Sequence, residues 1–393
     1  MTIACNGEAI SNKVTNTSIP STNTVKFIHA SDIHLGAAQY NNEYRSYDFI
    51  RAFQEILELA SDHNIDFIIL SGDVFTSLEM LPGNLTKIIN ILTEFKIATK
   101  ENIPIIAIEG NHDIRKFSRG VKFPNSGQSW LKLLSNLDLV VLLDGDLNAI
   151  PTEIYKSYDS KLKTGGKIRI KNIVIYGNRY IGQAPREFLP KIYKAIDKES
   201  GFFTILLQHF GIEGQMENVP GIALGEIIPL KDKVDYLALG HFHKQYIINN
   251  WIYNPGSSEA ASPIDASFKR GIFLVEIRGT KKFTKNVRII QLKNRKHRWE
   301  TIFFQEYIRT KQDLYNFILL KLKPLFKYTN ETLKSSDVEM PVLNLVFKGK
   351  KPLKLKKVNV REISEMIYNN LPVVDVKIYQ MFNNSLTTLD RYI

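Results

Sequence analysis

The sequence has a single cysteine in 393 residues, Cys5. One cysteine cannot form an internal disulfide or a multi-thiolate zinc site, and this scarcity fits a reducing cytoplasm. No apolar run approaches the roughly 18–20 residues that a membrane helix needs, so no membrane partner is expected. Residues 1–24 are polar and lack the apolar centre of a signal peptide, which predicts a disordered leader and an intracellular protein.

The first 280 residues carry no excess of positive charge, although the whole chain has a net charge of +12. Residues 281–393 hold 23 Lys and Arg against 10 Asp and Glu, and the basic residues cluster in 281–298 and 348–357. Charge segregated in this way predicts a polyanionic partner such as nucleic acid. The alternative is a solvated basic surface that only aids solubility.

Apolar runs typical of strands alternate with stretches of helical periodicity. Residues 25–30, 65–72 and 103–110 have strand patterns, and residues 46–63 and 83–100 between them have helical ones. This β-α-β-α-β order predicts a largely parallel sheet with helices packed on it.

Composition divides the chain into five segments. They are a disordered leader (1–24), a large α/β domain (25–280), a basic linker (281–298), a small α/β domain (299–385) and a C-terminal tail (386–393). The small domain also has a β-α-β-α-β pattern.

Polar side chains that suit metal coordination follow five of the strand-like runs, where each run ends. These residues are Asp32, His34, Asp73, Asn111, His112, His209, His241 and His243. Ligands of α/β proteins bind outside the carboxyl ends of strands, so the five ends are expected to converge on one crevice. A single histidine at a strand end is more often structural, but five such motifs in order are hard to explain by coincidence. His29, His63 and His297 lack this context and are expected to be structural or surface residues.

The donor types favour two-metal hydrolysis. Oxygen and imidazole donors without sulfur favour an octahedral-type site for Mn²⁺, Fe²⁺ or Zn²⁺ over a tetrahedral thiolate site. Residues i and i+2 of an extended chain point the same way, so Asp32 with His34, and His241 with His243, are each expected to aim two ligands at one cluster. A carboxylate such as Asp73 can bridge two metals roughly 3.5–4 Å apart, which together activate water and neutralise a phosphate.

The motifs SDIHLG, SGDVF, EGNHD, LQHFG and LGHFHK, in this order, resemble those of the calcineurin-like metallophosphoesterases. Within that group, SDIHLG and YNPGSSEAAS (253–262) are most similar to the meiotic-recombination-eleven/SbcD nucleases of DNA double-strand-break repair. The resemblance covers about residues 25–280, and the small domain matches the family's capping domain in order and size. It implies an α/β fold, a two-sheet sandwich layered α/β/β/α, followed by a small α/β capping domain.

The resemblance also implies how two divalent metals, expected to be Mn²⁺, are held. One metal would be bound by Asp32, His34, Asp73 and His243. The second would be bound by Asp73, Asn111, His209 and His241, with Asp73 as the bridge. His112 is implied as a catalytic residue that faces the scissile phosphate and stabilises the transition state or protonates the leaving oxygen. A metal-bound hydroxide would attack in line.

By the same resemblance, the chain is a DNA exonuclease or endonuclease that processes DNA ends in the cytoplasm, associated with the nucleoid. Its implied partners are DNA, a second copy of the chain, and an SbcC-type coiled-coil ABC ATPase. The apolar face of residues 84–95 would serve the dimer or pack on the sheet.

The chain departs from the family's pattern in two places. Thr76 stands where many relatives carry His or Asp, and it cannot carry charge near neutral pH. We expect normal metal binding but an altered rate or balance of exonuclease and endonuclease activity. The family's helical ATPase-docking segment has no counterpart before Ile393, so it is missing here, or the ATPase is bound differently or not at all.

Two rival functions fit parts of the sequence. One is a DNA-end-binding scaffold with weak hydrolysis, and the other is a metallophosphoesterase acting on small phosphodiesters or on a phosphoprotein. Protein phosphatases would show Gly-Asp-X-X-Asp-Arg-Gly at 72–78 and Glu at 113, whereas this chain has GDVFTSL and Asp113.

Overall fold

The computed structural model describes residues 24–38, 42–114, 129–182, 185–305, 308–326, 340–351 and 359–382. The expected leader, apart from Thr24, and the expected C-terminal tail lie outside these residues. Within these ranges, no helix is long and apolar enough to cross a membrane.

The first domain contains twelve strands and six α-helices among the described residues. In chain order they are β1 (Thr24–Ala30), α1 (Glu43–Asp62), β2 (Phe67–Leu70), α2 (Pro82–Ala98), β3 (Ile105–Ala107), α3 (Trp130–Asn136), β4 (Val141–Leu142), α4 (Pro151–Ile154), β5 (Lys167–Ile170), β6 (Ile173–Gly177), α5 (Leu189–Ala195), β7 (Phe203–His209), α6 (Leu224–Ile227), β8 (Tyr236–Gly240), β9 (Tyr246–Ile248), β10 (Ile252–Asn254), β11 (Gly271–Arg278) and β12 (Thr284–Gln291).

These strands form two six-stranded sheets, with the orders β12-β11-β1-β2-β3-β4 and β5-β6-β7-β8-β10-β9. The strands β1 to β4 run parallel, as do β6, β7, β8 and β10. Antiparallel strands close the other edges: β11 and β12 on the first sheet, β5 and β9 on the second. Parallel strands buried on both faces explain the continuous apolar runs of the sequence.

Three apolar cores hold the layers together. The two sheets pack on each other through a core that includes Phe27, Phe67 and Tyr236, whose rings are fully buried. A second core packs α1, α2 and α3 on the outer side of the first sheet, and a third packs α5 and several connections on the second sheet. This layering confirms the predicted α/β/β/α sandwich.

The apolar face of helix α2 packs on the first sheet. Ile88, Ile91, Leu92 and Phe95 are buried there, which matches the packing alternative for residues 84–95. Leu81, just before the helix, and Ile97, in its last turn, are exposed.

The segment 281–298, expected to be a linker, contains β12 and the first residues of the next strand. All eight residues of β12 pair with β11, so the expectation fails for residues 284–291. The reason is that β12 is an edge strand, and edge strands carry charged residues such as Lys285 and Arg288 that resemble a linker in composition.

The second domain has the predicted β-α-β-α-β order. Its elements are β13 (His297–Phe304), α7 (Lys311–Leu322), β14 (Val342–Gly349), α8 (Val360–Asn370) and β15 (Asp375–Phe382). The three strands run parallel in the order β13-β14-β15, and both helices cover one face of this sheet through a single apolar core. The side chains of Thr310 and Asn359 cap the two helix N-termini.

Buried ion pairs join the second domain to α1. The Nε and Nη2 atoms of Arg295 donate to the two carboxylate oxygens of Asp48, at 2.6 and 2.7 Å. Arg45, which is completely buried, contacts both Asp48 and Glu259. The Asp48 carboxylate is shared by two arginines. It stabilises this junction because removing it would leave buried positive charges without a partner.

Candidate metal centre

The five predicted strand ends meet at one place in the structure. Three belong to the first sheet, after β1, β2 and β3, and two belong to the second sheet, at the ends of β7 and β8. The ring of His112 lies 5.0 Å from that of His34, and the rings of His209 and His241 are 5.1 Å apart. The crevice therefore lies where the carboxyl ends of both sheets come together.

The first group of candidate ligands is Asp32, His34 and His243, whose ligand atoms all lie within 4.8 Å of one another. The Nε2 atoms of His34 and His243 are 3.0 Å apart, and the Nε2 atom of His243 is 3.9 Å from Asp32 Oδ1.

The second group is Asp73, His209 and His241, again within 4.8 Å. Asn111 joins it: its Oδ1 atom lies 3.2 Å from His209 Nε2 and 3.0 Å from His241 Nδ1. Asp73 Oδ2 lies 3.2 Å from His209 Nε2, and its negative charge also acts on His34 of the first group. The structure thus brings together three of the four residues implied for the first ion and all four implied for the second.

The backbone at these ligands is not extended, contrary to expectation. Asp32, His34, Asp73 and His241 have φ angles of 49°, 52°, 50° and 84°, in the left-handed region. Alternation along a strand therefore does not aim these side chains, and His241 and His243 enter different groups. Each such conformation costs on the order of 1–3 kcal/mol, a strain typical of functional sites.

Glycines let the ligand loops approach one another closely. A Cβ atom at Gly72, where φ is 90°, would lie 2.4 Å from His209 Nδ1. A Cβ atom at Gly110 would lie 2.2 Å from Asp73 Oδ1. No side chain fits at either position without displacing a candidate ligand.

Hydrogen bonds on Nδ1 orient three of the imidazoles. The Nδ1 atom of His209 lies 2.7 Å from the Ser71 carbonyl, and that of His112 lies 2.9 Å from the Thr76 carbonyl. The Nδ1 atom of His243 lies 2.8 Å from a carboxylate oxygen of Asp265. Each acceptor requires a proton on Nδ1, so the Nε2 lone pair of a neutral ring points into the crevice.

The side chains present fit a divalent cation. Lone pairs of His34 and His243 face each other at 3.0 Å, and those of His209, Asp73 and Asn111 converge in the same way. Such atoms repel one another unless a proton or a cation lies between them. The Nδ1 atom of His34 is also buried, without a hydrogen-bond partner among the described residues. Nitrogen and oxygen donors without sulfur are the set that Mn²⁺, Fe²⁺ and Zn²⁺ accept.

The electrostatics of the crevice point the same way. Burial lowers the pKa of His209, but the carboxylates of Asp73 and Asp32 and the Ser71 carbonyl together raise that pKa to about 9. Burial likewise lowers the pKa of His243, but its hydrogen bond to Asp265 helps to raise it to about 9. Burial and the charge of His243 lower the pKa of His34 to about 3. The negative potential that holds protons on two histidines is the potential that attracts a metal ion.

Sequence reasoning missed two buried carboxylates that support the site. Asp265 lies 22 residues beyond His243, in a 3₁₀ turn that carries no recognisable motif. Asp113 accepts hydrogen bonds from the backbone N–H groups of Gly110, Val74 and Phe75, and so ties the loop after β3 to the loop after β2. Its place in the Gly-Asn-His-Asp motif was the only available signal.

The three histidines expected to lie outside the site do so. His29 is buried between the sheets and bonds to the Tyr236 hydroxyl and the Ser71 Oγ atom, while His63 ends α1 and His297 begins β13.

Comparison with known proteins identifies the family. Residues 25–245 match the model of the Calcineurin-like phosphoesterase family, which is more than half of the chain. The chain belongs to the calcineurin-like phosphoesterase family. The predicted resemblance is thereby confirmed, together with the prediction of a hydrolase that acts on phosphate esters.

Curated relatives carry a narrower name. The chain is 31% identical to the DNA double-strand break repair protein Mre11 of Archaeoglobus fulgidus over 247 residues, which are 62% of this chain and 52% of that protein. It is 26% identical to the Mre11 protein of Saccharolobus solfataricus over 373 residues, which are 93% of this chain and 83% of that protein. The double-strand break repair protein MRE11 of rice is 26% identical over 65% of this chain and 41% of its own length. The chain thus spans about half of the Archaeoglobus relative.

Proposed function

We propose that this phosphoesterase is a nuclease that uses two divalent metal ions, expected to be Mn²⁺, to process DNA ends in double-strand-break repair. The observation that carries the proposal is the pair of neighbouring ligand groups, the second of which includes Asp73, with His112 beside them. Similarity to Mre11 proteins supports DNA as the substrate, because one such match extends over 93% of this chain, including the basic second domain.

The metal ligands are proposed residue by residue. Asp32, His34, Asp73 and His243 would hold one ion, and Asp73, Asn111, His209 and His241 would hold the other. Two bound ions supply Lewis-acid stabilisation of a phosphate and a water nucleophile at neutral pH. The chain's own contribution is to aim the Nε2 atoms of His209 and His243 through their Nδ1 hydrogen bonds, and to hold Asp73 in place.

His112 is proposed as the catalytic residue that is not a ligand. Its backbone N–H donates to Asp73 at 2.7 Å, and its Nδ1 atom bonds to the backbone carbonyl of Thr76 at 2.9 Å. The Nε2 atom is left to contact a phosphate oxygen or protonate the leaving oxygen. Because a carbonyl orients the ring, this contact does not depend on the Thr76 side chain. We still expect the absence of a charged side chain there to change the rate or the balance of activities.

The proposed partners rest on the charge of the second domain and on the family resemblance. The net charge of +13 in residues 281–393 suits the DNA backbone. A homodimer and an SbcC-type ATPase remain proposals that rest on the family resemblance alone.

DNA cleavage tests the proposed function. The purified chain would be incubated with end-labelled duplex, hairpin and single-stranded DNA in Mn²⁺, Mg²⁺ or EDTA. We expect Mn²⁺-dependent cutting that EDTA and Asp73→Asn abolish. His112→Gln should keep both metal ions but cut on the order of 10²–10⁴ times more slowly. Asp62→Asn, at an exposed position at the end of α1, is the matched control and should cut normally.

Two outcomes would contradict the proposal. Tight DNA binding without cutting in any metal would favour a DNA-end-binding scaffold. Hydrolysis of a chromogenic phosphodiester without binding or cutting of DNA would favour an esterase acting on small molecules.

A further inference from the structure

The second domain presents one sheet face that lies outside its apolar core. Ile302, Phe304, Leu345 and Ile378 point to the face that α7 and α8 cover. By alternation along the strands, the opposite face carries another set of residues. At the start of the strands this face is covered: Val342, Asn344 and Asp375 are buried and His297 is half-buried. The remaining residues, here called the open face, are Trp299, Thr301 and Phe303 from β13, Val346 and Lys348 from β14, and Lys377, Tyr379 and Met381 from β15.

Large aromatic rings are exposed on the open face. Trp299 is 47% exposed and Phe303 is 55% exposed. The Trp299 ring stacks on that of Tyr379 across β14, with ring centroids 5.5 Å apart and planes inclined by 21°. The stack holds the indole in a fixed orientation with part of its surface in solvent. Exposed aromatic rings on an ordered sheet are a feature of interaction sites.

The charge of the open face is positive. Lys348 is exposed, and the carboxylate on this side of the sheet, Asp375, is buried at the start of β15. Lys350, which follows β14, is also exposed. Phe303 and Lys348 occupy neighbouring positions in the strand register, so ring and charge lie side by side.

Aromatic faces interleaved with lysines suit an unpaired polynucleotide. Every base has a π-face that can stack on an aromatic ring, and lysines neutralise the phosphates between bases. The two exposed rings are four residues apart on β13, about 13 Å along a strand. A short unpaired strand laid along β13 can therefore reach both rings. A duplex would gain nothing from the rings, because its bases are already stacked.

We propose that the open face binds single-stranded nucleic acid by stacking bases on Trp299 and Phe303, with Lys348 contacting phosphates. The identity of the strand as DNA to be cut rests on the proposed nuclease function. The stacking itself requires neither metal ions nor the ligand groups. The face would hold the unpaired strand of a processed end while the duplex part lies elsewhere on the molecule.

Binding of an abasic strand is the sharpest test. Full-length protein in EDTA would be titrated into a labelled oligothymidylate, an abasic strand of the same length and a duplex, with fluorescence anisotropy as the readout. We expect Trp299→Ala and Phe303→Ala each to weaken oligothymidylate binding on the order of 10-fold. Wild-type protein should bind the abasic strand more weakly than either single variant binds oligothymidylate, and about as weakly as a variant that carries both substitutions. The substitutions should not weaken abasic binding further. Trp299→Phe should restore most of the affinity.

A matched control is available on the other side of the domain. Leu320 on α7 is 70% exposed and faces away from the sheet's open face, so Leu320→Ala should bind like the wild type. Tryptophan fluorescence gives a second readout. Trp251 is buried and Trp130 is half-buried, so quenching by oligothymidylate should come mainly from Trp299 and should vanish in Trp299→Phe.

The proposal is overturned if both alanine variants bind oligothymidylate like the wild type, or if the abasic strand binds equally well. Loss of self-association in the variants, without any change in DNA binding, would also overturn it and assign the face to a protein contact. Failure of the nuclease proposal is separate: it would show as absent cleavage in Mn²⁺ while stacking-dependent binding in EDTA persists.

Discussion

At the residue scale, side chains that are not candidate ligands orient the candidate ligands through hydrogen bonds. The carboxylate of Asp265 holds the Nδ1 atom of His243 at 2.8 Å and is itself buried. We predict that Asp265→Ala lowers the affinity for one of the two metal ions about 10–100-fold and leaves the affinity for the other nearly unchanged. Asp265→Asn keeps an acceptor oxygen, so its metal affinity should lie between those of the wild type and Asp265→Ala. Isothermal titration with Mn²⁺ measures this, with exposed Asp62→Ala as the control. Equal loss at both sites would refute the assignment of His243 to one ion.

Proton release on metal binding follows from the histidine pKa values. At pH 7 His209 and His243 hold extra protons, because their pKa values are raised to about 9 when no metal is bound. A metal must displace these protons, so affinity should rise with pH up to about pH 9, by about tenfold per displaced proton for each pH unit. Titrations in two buffers of different ionisation enthalpy at pH 7 count the protons. A binding enthalpy independent of the buffer would contradict this prediction.

The candidate ligands could be read from the sequence, but their support could not. Short motifs at strand ends name Asp32, Asp73 and the histidines because the chemistry of the side chains is local. The groups that aim them are distant or belong to the backbone: the Ser71 carbonyl lies 138 residues from His209 in the chain. The left-handed backbone at Asp32 and Asp73 was also missed, because only the folded loops impose it.

At the scale of elements, a buried carboxylate of α1 contributes to the junction with the second domain. Asp48 contacts Arg45 within α1 and Arg295 just before β13, and all three are buried. We predict that Asp48→Ala lowers the free energy of unfolding by about 3–5 kcal/mol, since it leaves two arginines without their shared carboxylate. Urea unfolding followed by circular dichroism measures the loss.

The control for this prediction is Glu365→Ala, which removes an exposed partner of Arg361 on α8 and should leave stability nearly unchanged. A loss for Asp48→Ala no larger than that of the control would mean that the junction does not depend on this carboxylate.

Most elements follow from local patterns, while the edges of the sheets do not. Buried parallel strands such as β2 and β7 have continuous apolar runs, and α1 and α8 have clear helical periodicity. The edge strand β12 was mistaken for a linker because one of its faces and its free edge are solvated. The division into two sheets came from the family resemblance, since periodicity alone predicts only parallel pairing.

At the scale of the whole molecule, the salt dependence of binding distinguishes a nuclease from a small-molecule esterase. If the basic second domain contacts DNA, log affinity should fall linearly with log salt concentration, with a slope of about −0.9 per duplex phosphate contacted. Hydrolysis of a small chromogenic phosphodiester should barely respond to salt, because it makes no such contacts. Binding assays between low and physiological salt measure the slope. A slope near zero would mean that the +13 charge of residues 281–393 does not contact DNA.

The central claim is that one crevice holds two metal ions bridged by Asp73. The most direct measurement is anomalous diffraction at the manganese edge from crystals grown with Mn²⁺. We predict two peaks roughly 3.5–4 Å apart, one beside Asp32, His34 and His243 and one beside Asn111, His209 and His241. A single peak, or two peaks that do not share Asp73, would contradict the two-metal account.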